Sequence, residues 1–155
     1  MEKINLKLSE ILSLLDEIYG VQNQNTGEVI MEGLLKQNFT MGVKYRLNNL
    51  GEKLLAEGKI INTLYTELIQ KYGEVDEEGR SFIKPSTRIE DGVDENNEPK
   101  FRFEPNPNFA LFQKEYDSLF NETKEIEYKP FSLSLFADLQ TKEHYPIFQR
   151  LIEAE

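Results

Sequence analysis

The chain has 155 residues, 39% hydrophobic and 30% charged, which fits one domain burying roughly two thirds of its unfolded surface and excludes the low-hydrophobicity regime of disordered chains. Its 28 Asp and Glu against 18 Lys and Arg give a formal charge of -10, which repels bare nucleic acid and anionic membrane and points to proteins as partners. The absence of Cys excludes disulfides, thiolate metal sites and thiol nucleophiles together.

The opening MEKINLKLSE holds no apolar run of signal-peptide length, and no segment reaches the ~20 apolar residues that span a bilayer, so a cytosolic protein is expected. Ile4, Leu6 and Leu8 alternate with Asn5 and Lys7, the pattern of a half-buried strand. Ser9 then reads as the N-cap of a helix carrying Ile11, Leu12, Leu14, Leu15 and Ile18, with Gly20 at its end. VQNQNTGE reads as a polar loop and VIMEGLLKQ as a short helix.

The dominant signal follows Thr40, an N-cap for a helix running to about Tyr72. Val43, Leu47, Leu50, Leu54, Ile61, Leu64, Leu68 and Tyr72 recur at helical spacing, and Leu55, Tyr65 and Ile69 widen the stripe. Gly42, Gly51 and Gly58 interrupt it, each costing up to ~1 kcal/mol relative to Ala, which suggests close approach of another backbone or, equally, an ordinary kink. Lys44, Arg46, Lys53 and Lys59, interleaved with Glu52 and Glu57, read as the solvated flank.

RSFIKP and PKFRFEP have strand character and are expected to form a hairpin, with STRIEDGVDENN as its loop. Asn106-Pro107 starts a helix with Phe109, Phe112, Tyr116, Leu119 and Phe120 on one face, ending near Asn121 and able to return antiparallel along the long helix. KEIEYKPF alternates again, with Ile126 and Tyr128 on one side, before SLSLFADL and a terminal YPIFQRLIEAE read as a short helix. The segments INLKLSEIL and IEYKPFSLSLF are expected to be neighbours in one small sheet. The whole is an α+β, helix-dominated single domain, residues 1–155. A base from about 1–20 and 123–155 carries a long helical hairpin arm, about 40–122, tipped by a β-hairpin.

The chemistry is sparse. The stretch from Glu74 to Glu104 holds ten acids and five bases, but neither Asp76 nor Asp91 begins the alternating oxygen ligands of a calcium loop, so GEVDEEG and EDGVDENNE read as solvated turns. His144 is the only histidine and reads as a turn or helix-entry residue. There is no phosphate-binding glycine motif, and no carboxylate pair can be singled out. No catalytic, cofactor-binding or metal-ligating residue is therefore nominated, and no cofactor is expected.

At YRLNNLGEKLLAEGKIINTLYTELIQKYGEVDEEG, continuing to NFALFQKEYDSLFNETKEIEYKPFSLSLF, the sequence resembles a set of small proteins encoded by tailed bacteriophages and prophages. In these a long helix ends in an ELI-x-KYGE-x-DE-x-G corner, and a helix of F-x-K-E-x-x-x-L type leads into an E-I-x-x-x-P strand. The resemblance covers most of residues 40–136, its motifs are architectural, and it carries over no catalytic residue. It implies a phage origin, with Gly73 and Gly79 marking the exit of the arm helix, and a location in the infected bacterial cytoplasm or in the virion.

The expectation is a non-enzymatic phage protein that works through protein contacts, as a small virion structural or assembly component, either a homo-oligomer or bound to phage structural proteins. Nucleic acid and membrane are not expected as direct partners. Leu54, Ile61, Leu64 and Leu68 are the expected packing residues of the contact surface, with Tyr65 and Ile69 as its edge. The alternative is an acidic regulator or anti-defence inhibitor that mimics nucleic acid toward a host protein.

Overall fold

In the computed structural model, residues 1–136 and 145–153 are described. They form an α+β fold with three α-helices and small two-stranded sheets. The chain divides into two compact units, Met1–Ile61 with Phe120–Glu155, and Asn62–Leu119. The division falls inside the long helix, so residues 41–61 group with the chain ends.

In the first unit, β1 (Glu2–Lys7) pairs antiparallel with β8 (Thr123–Tyr128), with Ile4 opposite Ile126. Alternation puts Leu6, Ile126 and Tyr128 in the core, while on the other face Lys3 lies 3.0 Å from Glu125. The next element, α1 (Leu8–Tyr19), begins one residue before the expected Ser9 cap. The Glu10 carboxylate accepts the Lys7 N–H at 2.9 Å, and the Leu8 N–H donates to the Glu122 carbonyl at 2.9 Å. With the helix entry satisfied there, Ser9 lies inside α1 and its carbonyl accepts the Ser13 hydroxyl. At the other end Gly20 takes φ +84° and ψ 172°, a conformation open to glycine and outside the usual left-handed helical cap, and the helix stops there.

VQNQNTGE is a loop as expected apart from Val21 and Gln22, which are in a strand, and VIMEGLLKQ departs from the expected helix. They form a hairpin, β2 (Gly20–Gln22) with β3 (Val29–Glu32), followed by a 3-10 turn at Leu34–Lys36. Asn23 drives the reversal, its Oδ1 accepting the N–H groups of Asn25 and Thr26. A short apolar run such as Val29-Ile30-Met31 is read equally well at either period, and the turn decides for the strand. Gly33 is required by space, because a Cβ there would collide with the Tyr19 and Gly20 backbone.

Helix α2 (Met41–Tyr72) has the expected bounds, and the Thr40 hydroxyl accepts the Val43 N–H at 3.4 Å. Within the first unit it buries Val43, Leu47, Leu50, Leu54 and Ile61, together with Gly51 and Gly58. Those two glycines admit side chains rather than a backbone: a Cβ at Gly51 would meet the Tyr19 ring, and one at Gly58 would sit 3.0 Å from Leu15 Cδ1. Nothing lies within 4 Å of a Cβ at Gly42. Arg46 is not on a solvated flank. It donates to the carbonyls of Lys129 and Pro130 and lies 4.4 Å from the Phe131 ring centroid.

The terminal segment is not a regular α-helix. A 3-10 turn at Phe148–Leu151 leads into β10 (Ile152–Glu153), which pairs in parallel with β9 (Phe131–Ser132). SLSLFADL enters a 3-10 turn at Leu133–Phe136, and its last residues, with His144, lie outside the described residues.

The second unit contains the end of α2, two hairpins and nearly all of α3 (Pro107–Asn121), whose start and end match expectation. The Asn106 side chain accepts the Asn108 N–H, capping α3. The hairpin partners differ from expectation. The strand from RSFIKP is β5 (Ser81–Phe82), paired with β4 (Glu74–Val75), and the strand from PKFRFEP is β7 (Pro99–Pro105), paired with β6 (Ser86–Val93). The segment STRIEDGV, expected in a loop, is therefore a strand.

One buried charge ties the terminal segment to α1. Glu17 is 3% exposed, and its Oε1 accepts the N–H groups of Ile147 at 3.0 Å and Phe148 at 3.3 Å. Its Oε2 is buried with no hydrogen-bond partner among the described residues. Burial holds this carboxyl above its ordinary range, against the opposing pull of the two donors. A raised folded-state value means that the associated stability is fully present below the unfolded pKa and is lost as pH rises through the folded one. Glu17→Ala is expected to cost about 1–3 kcal/mol by leaving two donors unmet. Glu17→Gln keeps an acceptor without the charge, so urea melts should show wild type losing stability relative to this variant between mildly acidic and neutral pH.

Candidate interaction surface

The corner GEVDEEGR is a turn with a defined chemistry. Asp76 Oδ1 accepts the N–H groups of Glu78 at 3.0 Å and Arg80 at 2.8 Å, and Gly79 takes φ +83°. The tip of the second hairpin repeats it: Asp94 Oδ1 accepts from Asn96 and Glu98, both at 2.9 Å, and Asn97 takes φ 61°. Each aspartate caps its own loop, in the manner of an Asx turn. Among the described residues no group of three or more His, Cys, Asp and Glu is placed to hold a metal ion.

Between Asp94 and the strand bases lies a two-stranded ribbon with little cover. Every residue of β7 is exposed, Phe103 at 67% and Phe101 at 45%, and Val93 is exposed on β6. The register sets Arg88 opposite Phe103 and Glu90 opposite Phe101, so one face carries two aromatics against two charged side chains. The Arg88 guanidinium carbon stands 3.6 Å from the Phe101 centroid, giving partial shelter. Among the described residues no third strand pairs with either edge.

The rest of this unit is held by aromatic contacts. Tyr65 packs against Phe112 and Tyr116 with centroids 6.3 and 5.9 Å apart, and Phe109 lies 5.9 Å from Phe112. Lys71 bridges to Glu115 at 3.3 Å. Hydrogen bonding to Tyr72, then the bond to Glu115, raises the Lys71 pKa, while Tyr72 and then Lys71 lower that of Glu115.

The six nominated contact residues separate along α2. Leu54 and Ile61 belong to the buried core of the first unit, Leu68 and Ile69 are half-buried, and Leu64 and Tyr65 are exposed at 38% and 36%. Those six positions therefore do not make one open patch. The more exposed aromatics, Phe101 and Phe103, carry a strand signal that says nothing of their exposure; the signal for it is the opposite strand, STRIEDGV, which supplies too few apolar residues to bury them.

A second feature lies in the first unit. A cleft of about 230 Å³ is lined by Arg46, Lys53 and Lys129, by Asn49 and Glu127, and by the apolar parts of Met1, Leu50, Tyr128 and Phe131. Arg46, Lys53 and Lys129 form no ion pair among the described residues. In a chain of charge -10 this is a local cationic concentration. No helix among the described residues is long and apolar enough to cross a membrane.

Comparison of the chain with protein-family models, with curated proteins and with solved structures finds no match.

Loss of the Asp94 cap should loosen the ribbon specifically. Asp94→Ala is expected to lower ribbon stability by about 1 kcal/mol, read as roughly fivefold faster amide exchange at Phe101 and Phe103 with exchange at Leu14 and Leu47 unchanged.

Proposed function

We propose that this is a non-enzymatic protein of a tailed phage, acting through protein contacts as a small virion structural or assembly component. It works in the infected bacterial cytoplasm or within the particle, as an oligomer or bound to phage structural proteins. On this proposal residues of about 40–122 serve as a contact arm tipped by a β-hairpin.

The observation that supports the reading is the open β6–β7 ribbon. Isolated two-stranded ribbons are marginal in water, and exposed strand edges invite pairing, so one bearing Phe101 and Phe103 at its surface gains most from a partner. Exposed Leu64 and Tyr65 add apolar surface in the same unit. Asp76 and Asp94, two of the acids clustered at turns, are engaged by backbone donors there, which weighs against the alternative of nucleic-acid mimicry.

Affinity capture of the tagged protein, expressed at native level during phage growth, should recover phage head, portal or tail proteins identifiable by mass spectrometry. Recovery of a host nuclease or defence factor in their place would replace the structural role with the inhibitory one.

A further inference from the structure

We infer that the chain assembles head to tail with itself, the tip of the β6–β7 ribbon of one copy entering the Arg46–Lys53–Lys129 cleft of the next. This inference rests on the contact-based reading above and names both the surface and its occupant.

Charge identifies the occupant. At the ribbon tip Asp94 is held by its turn, but Glu95 and Glu98 are exposed and form no ion pair among the described residues. The cleft offers the converse: among the described residues Lys53 and Lys129 form no ion pair and Arg46 is held by two carbonyls, so three cations share the lining with the one carboxylate of Glu127. Opposite charges left unmatched on one chain are matched between two copies. The apolar parts correspond as well: Val93 and Phe101 flank the tip, and Leu50, Tyr128 and Phe131 line the cleft.

Size favours a protein side chain over a small molecule. A cleft of about 230 Å³ falls below the roughly 300–1,000 Å³ usual for ligand pockets, and it accommodates one or two side chains from an inserted tip. The two surfaces differ, so the contact is heterologous, and repetition produces a ring or an open filament. A symmetric contact of the two ribbons tip to tip is disfavoured, because it would bring Glu95 and Glu98 of both copies together.

Sedimentation velocity across a concentration series tests the inference by charge exchange. The ribbon variant Glu95→Lys/Glu98→Lys and the cleft variant Lys53→Glu/Lys129→Glu each alter exposed side chains that the fold does not use. Each alone should weaken assembly about tenfold or more, while an equimolar mixture, or all four changes on one chain, should restore it. Circular dichroism confirms that each variant is folded before it is scored. A wild-type protein that stays monomeric throughout, or assembly indifferent to both variants, overturns the head-to-tail contact. Either result leaves the contact-based function standing if capture still recovers phage structural proteins; that function fails separately if capture recovers none.

Discussion

The apolar stripe of α2 runs continuously through the sequence, and its use changes within the helix. From Val43 to Ile61 it is covered by the first unit, where Gly51 and Gly58 leave room for Tyr19 and Leu15 to settle against the helix surface. Each fully buried Leu or Ile there contributes about 1.5–3 kcal/mol, so this half suffices to anchor the fold. Beyond Asn62 the stripe has no glycine and no comparable cover. Tyr65 meets the aromatics of α3, and Leu64 remains open. The same periodicity thus yields a core in one half and positions that are half-buried or exposed in the other.

The first unit is closed by pieces brought together from distant parts of the chain. The β1–β8 ladder joins residues more than a hundred positions apart, and Glu17 joins α1 to the backbone at Ile147 and Phe148. Tyr145 adds a further link, donating its hydroxyl to the Glu32 carbonyl at 2.7 Å. A buried carboxylate costs desolvation energy, and the two backbone donors offset only part of it. What it supplies is position: a terminal segment with little regular structure is fixed at a single place on α1. The ribbon of the second unit has no equivalent. Its strands are joined by a tight turn and held mainly by each other, with Val93 and Phe103 exposed while Arg88 shelters Phe101 and Arg102 pairs with Glu104.

Much of the fold was legible because local rules acted without competition. Thr40 and Asn106 announced their helices, Gly20 announced a stop, and alternation at Ile4-Leu6 and Ile126-Tyr128 marked two strands. Reading failed where short signals competed. Ser9 was a plausible cap, but Glu10 reaching back to Lys7 satisfied the helix entry earlier. STRIEDGV looked like a loop because of Gly92 and its acids, yet Asp94 closes a turn that draws the preceding residues into a strand. The contact surface was the least legible part. Hydrophobic periodicity reports which residues share a face, and cannot report whether the fold covers that face, so Leu54 and Leu64 looked alike. Nor could it assemble the cleft, whose cations come from α2 and from the turn after β8.

A net charge of -10 sets a condition on any self-association. Two such chains repel at long range, so attraction has to come from close complementary contacts. At physiological ionic strength the screening length is about 8 Å, which mutes repulsion between distant charges while leaving contacts at ion-pair distance largely effective. Where the acids sit therefore matters more than how many there are. Asp76 and Asp94 are engaged in their turns, whereas Glu95 and Glu98 at the ribbon tip are exposed and form no ion pair among the described residues. Lys53 and Lys129, which form no ion pair among the described residues, line a cleft with partly apolar walls, where a lower local dielectric would strengthen a carboxylate contact. On the head-to-tail inference, an acidic surface of this kind would discourage unselective aggregation and favour the one arrangement that sets Glu95 and Glu98 against Lys53 and Lys129.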